Sequence, residues 1–238
     1  MPQPLSQVNP NAGVVIGNAG DYPLERNPNM LRLSMRVMTA WATLETFVTG
    51  IFVVILGDNA RLGVAIYSAL IAESAQLAAF RAAADIALET KPRERELLEA
   101  VLGIHKTLAK QRHRVAYWIS GYSPELPEAT LLTPPTVLIK LQLENRDYLD
   151  NAIEKGIPSA GPPPRPDLDL IYVYEAADFE STIDQIERLS GHCLAFRRLL
   201  RTSGDVADRE YGRLCREPDI ARALAHLRAQ RTPPAGCG

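Results

Sequence analysis

Proline placement constrains this chain more than any other feature. Five of the 18 prolines lie in residues 1–28 and nine lie between Pro124 and Pro166. A proline inside a helix removes a hydrogen bond and clashes with the preceding turn, so neither region is expected to hold a long helix. Between and beyond them, only Pro92 and Pro218 interrupt residues 29–123 and 167–232. Those intervals read as helix. Asn27-Pro28, an N-cap followed by proline at the first helical position, starts a first helix that Gly57-Asp58-Asn59 stops. A second, alanine-rich helix is predicted over about 59–89, and a third over about 91–119. A fourth is predicted from Asp178 to Thr202, with two short ones over about 205–216 and 218–230.

The 238 residues are 46% hydrophobic with a formal net charge of −2. The chain is therefore long and apolar enough for a sizeable core, and it has neither the composition of a disordered chain nor that of a generally basic nucleic-acid binder. Phe47 to Leu56 is wholly apolar except for Thr49 and Gly50, but spans about half of the roughly 20 residues a bilayer requires. It reads as a buried core helix. The N-terminal MPQPLSQVNPNAG lacks a basic region and an apolar stretch, so no signal peptide is expected. Cys193, Cys215 and Cys237 are odd in number and widely spaced, as reduced thiols of a cytoplasmic protein are.

Strand character is confined to the proline-rich region. Val137 to Leu143 alternates from Ile139 onward, and Ile171 to Tyr174 is β-branched and aromatic. The two are expected to pair as a small sheet, joined through a stiff connector at 161–166. The fold class predicted is mainly α: an antiparallel bundle of four long helices with a small β insert and short C-terminal helices. Its expected divisions are an irregular 1–27, a helical domain over 28–203 with the insert at about 120–175, and a basic 204–238. Residues 195–231 hold nine arginines against five acids, which reads as a solvated surface or a contact for RNA or another anion.

A wheel at about 100° per residue places Leu97, Leu98, Val101, Ile104, Leu108, Val115 and Ile119 on one arc of the third helix. His105 and Arg112 fall inside that arc, whereas Lys106, Lys110, His113 and Tyr117 lie opposite. A lone buried guanidinium needs an anion. Glu45 supplies one, since the wheel groups it with Met38, Trp41, Ala42, Thr49, Phe52 and Leu56 on the first helix. An ion pair between Glu45 and Arg112 is expected. His192 and His226 have no partner at metal-ligand spacing. With no glycine-rich phosphate loop, nucleophile elbow or CxxC, no metal or cofactor is expected.

The segment Lys110-Gln-Arg-His-Arg-Val-Ala-Tyr-Trp-Ile-Ser-Gly121 resembles the signature of HEPN domains, helical modules marked by an arginine near the end of a long helix with a histidine four to six residues beyond. Arg112-His-Arg-Val-Ala-Tyr117 is similar to their Arg-Asn-x-x-Ala-His arrangement, and Trp41-x-x-Leu-Glu45 to a tryptophan-plus-acid pattern of bacterial relatives. The resemblance covers roughly residues 30–120. It implies a dimer with a metal-independent ribonuclease site, in which Arg112, His113 and Tyr117 hold the catalytic positions and Glu45 and His105 support them. Here Tyr117 stands where the family has histidine. A tyrosine, with an ordinary pKa near 10, is a much poorer base than a histidine. The resemblance thus implies a non-catalytic or degenerate dimerisation or regulatory module, with RNA as a candidate partner. A metal-independent ribonuclease and a membrane-peripheral helical protein are the alternatives.

Overall fold

In the computed structural model, residues 2–17, 23–154 and 164–231 are described. The connector predicted at 161–166 lies partly outside them, as does the tail from Thr232. The fold is mainly α, about three-quarters helical, with a small antiparallel sheet of five short strands among the described residues. In chain order the elements are β1 (Gln3–Pro4), α1 (Leu5–Val8), β2 (Val15–Ile16), α2 (Pro28–Leu56), α3 (Ala60–Ala69), α4 (Glu73–Ala87) and α5 (Pro92–Tyr117). There follow β3 (Ile119–Tyr122), β4 (Thr130–Thr133), α6 (Pro135–Glu154), β5 (Tyr172–Tyr174), α7 (Ala176–Leu199), α8 (Gly204–Cys215) and α9 (Pro218–Arg231). The chain forms two compact units, one of Met1–Met38 with Lys110–Ile183 and one of Thr39–Ala109 with Asp184–Gly238. Helices α2, α5 and α7 contribute turns to both.

The first unit is built on the sheet, in the order β1-β5-β4-β3-β2. A hairpin pairs Ile119 with Thr133 and Gly121 with Leu131, and β4 then pairs Leu131 with Val173 of β5. The N-terminal segment closes both edges: β1 lies against β5 and β2 against β3, all antiparallel. Between its two strands it plants Leu5, fully buried, among Leu131, Ile171 and Val173. Ser6 hydrogen-bonds Asp169, and the Gly13 amide donates to Glu125 at 3.1 Å. Gly121 is required where β2 passes, because a Cβ there would lie 2.6 Å from the Val15 carbonyl oxygen.

Helix α6 corrects two sequence expectations. Val137 to Leu143 is helical rather than a strand, and residues 124–166 do hold a long helix. Prolines 134 and 135 sit at its start, where a missing amide costs nothing, and the following residues are free of proline up to 157. Lys140–Glu144 and Arg146–Asp150 are i,i+4 pairs, each at 3.7 Å, that only a helix brings together. The strand predicted at Ile171–Tyr174 forms over Tyr172–Tyr174.

The second unit is helical. On α2 the residues Trp41, Leu44, Val48, Ile51 and Phe52 are buried. This corrects the predicted stripe, since Ala42 is exposed and Glu45 and Thr49 are only half-buried. Helix α2 is long and apolar enough to cross a membrane by length and composition, and 28% of its most apolar stretch is buried, which corrects the reading of this region as too short for a bilayer. Gly57, at φ +53°, takes the left-handed conformation that ends it. The helix predicted over 59–89 is two helices, broken at extended Leu70 and Ala72. Gln76 stabilises the break by donating to the carbonyls of Leu70 at 2.8 Å and Tyr67 at 3.5 Å. Phe52 packs on Tyr67 at 4.7 Å and edge-on against Phe80 at 5.4 Å.

Leu5 anchors the segment that covers both sheet edges, and edge strands left uncovered are templates for association. Replacing Leu5 by Ala is expected to cost about 2–4 kcal/mol, read as a lower urea midpoint. Removing residues 1–17 should cause concentration-dependent aggregation, measured by light scattering.

Candidate functional site

The motif occupies the last turns of α5, in the first unit. The phase of α5 matches the wheel: Leu97, Leu98, Val101, His105, Leu108 and Ala109 are buried. Lys106, Lys110, His113 and Tyr117 are exposed, and Arg112 is half-buried on the core-facing arc. His113 and Tyr117, one turn apart, stack with ring centroids 4.8 Å apart. Tyr117 is 59% exposed. Five residues on a helix rotate a side chain by about 140°, so Arg112 and Tyr117 project from well-separated directions of α5.

The neighbouring arginine has a different task. The Arg114 guanidinium lies 5.1 Å from the ring centres of both Trp118 and Tyr172, which are themselves 5.6 Å apart. It also hydrogen-bonds Tyr174, whose hydroxyl burial pushes above the ordinary tyrosine range while the Arg114 charge pulls it back. Arg114 therefore fastens the end of α5 to β5. One residue earlier in the same arc as Arg112, Gln111 accepts a hydrogen bond from the Thr182 hydroxyl at 3.4 Å.

In the second unit His105 is 2% exposed, and its Nε2 lies 3.0 Å from the Glu45 carboxylate. Arg112 was the expected partner of Glu45, and His105 is the described one. Trp41 packs on the imidazole with ring centroids 4.8 Å apart. The Nδ1 atom of His105 is buried and makes no hydrogen bond. Of its two ring nitrogens, Nε2 is therefore the one that the described contacts engage. This histidine is a tether between α2 and α5, with no open nitrogen to pass a proton on. Cys193 lies nearby, its thiol pushed up to about 12 by burial and by the Glu45 charge. A thiol held protonated at neutral pH is a poor nucleophile.

His192, to which the sequence assigned no role, is hydrogen-bonded in the fold. Its Nε2 lies 3.0 and 3.1 Å from the two Asp219 oxygens, and Asp219 also accepts from the Ile220 amide at the start of α9. His226 lies 2.8 Å from Gln230. No group of three or more metal-capable side chains occurs among the described residues. The site residues thus divide into two sets: Arg112, His113 and Tyr117 in one unit, Glu45 and His105 in the other. Comparison with protein-family models, curated proteins and solved structures finds no match to this chain.

The tether gives a graded test. Glu45→Ala leaves His105 buried with neither ring nitrogen satisfied, and is expected to cost about 1–3 kcal/mol. Glu45→Gln retains an acceptor oxygen and should lose less than half of that. Urea midpoints of the two variants check the order, and equal losses would remove the hydrogen bond as the cause.

Proposed function

We propose that this protein is a non-catalytic, HEPN-like helical module that acts in the cytosol by assembling with a second copy of itself. The observation that carries the reading is Tyr117. At the position where the resembled family has its histidine, the chain has a solvent-facing tyrosine whose described contact is the His113 ring. Metal-independent cleavage of RNA needs a group that takes a proton from the attacking 2′-hydroxyl near neutral pH, and a tyrosine is poorly suited to it. His113 supplies an imidazole, but 80° round the helix from His105 and about 100° from Arg112.

Self-assembly is supported by the surface of α3 and α4. Leu62 is 65% exposed, Ile66 56%, Ile86 80% and Ile71, in the break between the two helices, fully exposed. Large apolar side chains exposed together on neighbouring helices mark a surface that a partner covers, and α6 exposes a second such set in Ile139, Leu143, Leu149 and Ile153. Arg61 on α3 and Arg81 on α4, the latter paired with Glu99, are the basic residues of these two helices, which is too little positive charge to recruit an anionic membrane. That favours a protein partner over the membrane-peripheral alternative.

Two measurements test the reading. Light scattering at tens of micromolar should give twice the 26.2 kDa chain mass, and Ile66→Glu combined with Ile71→Glu should return a monomer. The wild-type protein should leave single-stranded RNA uncut in EDTA, whereas Tyr117→His restores the family spacing and should gain cleavage. Wild-type cleavage that disappears in Arg112→Lys would instead establish the ribonuclease.

A further inference from the structure

The arginines of the C-terminal region are not equivalent. Glu210 holds Arg198 at 3.6 Å and Arg213 at 3.0 Å, and Glu96 holds Arg228 at 2.9 Å. Arg213 also lines a groove of about 720 Å³ on α8, together with Asp208, Arg209, Gly212 and Arg216. Arg209, Arg213 and Arg216 stand at i, i+4 and i+7, one face of the helix, spread over about 10 Å of its axis. Gly212 lies between them, and nothing lies within 4 Å of where its Cβ would be. The middle of the groove is therefore open down to the backbone.

The charge in this groove is positive and partly oriented. Its one acid, Asp208, is already neutralised by Arg93 at 2.9 Å, and Arg93 is itself held over the Tyr211 ring at 4.9 Å. Arg213 gives its Nε and one terminal nitrogen to Glu210, at 3.2 and 3.0 Å, which fixes its plane, and no contact of its other terminal nitrogen is described. Arg216 gives Nε to the Gly212 carbonyl at 3.1 Å, leaving both terminal nitrogens. Arg209 is exposed, and no hydrogen bond or ion pair of its side chain is described. Three guanidinium groups with donors that no described contact engages, around one open floor, are matched by a ligand with several acceptor oxygens per anionic centre. Phosphate provides that, since each group takes more than one fork, whereas a carboxylate is filled by one. The volume falls in the range of small-ligand sites, about 300–1,000 Å³.

We propose that the α8 groove binds a ligand carrying two or more phosphates, through Arg209, Arg213 and Arg216. The site is independent of the Arg112–Tyr117 segment and of the assembly proposed above. The phosphates belong either to a small polyphosphate-bearing molecule or to the phosphodiester backbone of a single-stranded nucleic acid.

The test uses the full chain and two probes, inorganic tripolyphosphate by calorimetry and a fluorescein-labelled single-stranded 12-nucleotide oligomer by anisotropy. At least one probe should bind at low salt. Arg209→Ser/Arg213→Ser/Arg216→Ser should weaken that binding at least tenfold, and Arg222→Ser, on α9 outside the groove, should leave it unchanged. Tripolyphosphate binding that the oligomer cannot compete with assigns a small molecule. Oligomer binding whose log–log salt slope falls by about two in the triple variant assigns the backbone, at roughly 0.7 per phosphate released. Should the triple variant fail to fold by circular dichroism, Arg209→Ser alone is expected to fold and to lose at least threefold. Binding of neither probe, or equal binding by wild type and the folded variant, overturns the proposal.

Discussion

The burial of His105 sets the phase of α5, and most of what the motif can do follows from that phase. Its imidazole is pinned by Trp41 on one side and by the Glu45 carboxylate at 3.0 Å on the other. Once His105 faces inward, helix geometry dictates the rest. Arg112, seven residues on, returns to within about 20° of the same direction, while His113 and Tyr117 turn roughly 80° and 120° away. The observed burial follows this order, with Arg112 half-buried and both His113 and Tyr117 exposed. A buried polar residue thus fixes the rotation of a helix that leucines alone would hold less specifically, because a one-residue slip would strand the imidazole without its acceptor.

Those parts of the fold that depend on one helix at a time were legible in the sequence. The wheel of α5 placed Lys106, Lys110, His113 and Tyr117 on the exposed side, where they lie, and Asn27 caps α2, its side-chain oxygen accepting from the Met30 amide at 3.3 Å. Features that depend on partners distant in sequence were not. Nothing near Leu70 announces the break between α3 and α4, because it is stabilised by the Gln76 side chain instead of by a glycine or proline. The alternation of Ile139 to Leu143 is a period-2 pattern carried by lysine, glutamine and leucine, all good helix formers, and propensity together with i,i+4 pairing prevailed. The N-terminal strands have two residues each, too short for any periodicity. Their place at both sheet edges is decided by Leu5 entering the sheet's core.

Charge organisation follows a similar division. The nine arginines of residues 195–231 read from sequence as one basic tract, yet Glu210, Glu96 and two backbone carbonyls orient five of them. Such pairs at the surface add little stability singly. Their larger effect is to hold planar guanidinium groups in fixed directions, which converts a diffuse positive tract into a few directed donors. Glu45 shows the converse. Sequence reading gave it Arg112 as a partner; the described contact of its carboxylate is the His105 imidazole at 3.0 Å.

Arg112 has a packing role that does not need chemistry. Arg112 lies on the arc of α5 that His105 and Leu108 begin, with Gln111 beside it bonded to Thr182 of α7. A long side chain there covers apolar surface with its stem whatever its head does, so removing it carries a packing cost. Tyr117 lies on the opposite, solvent-facing side, stacked only on a neighbour one turn away among the described contacts. A change there costs little in stability. The two positions are therefore under unequal structural constraint: a substitution at 112 disturbs the packed arc of α5, whereas one at 117 changes an exposed surface.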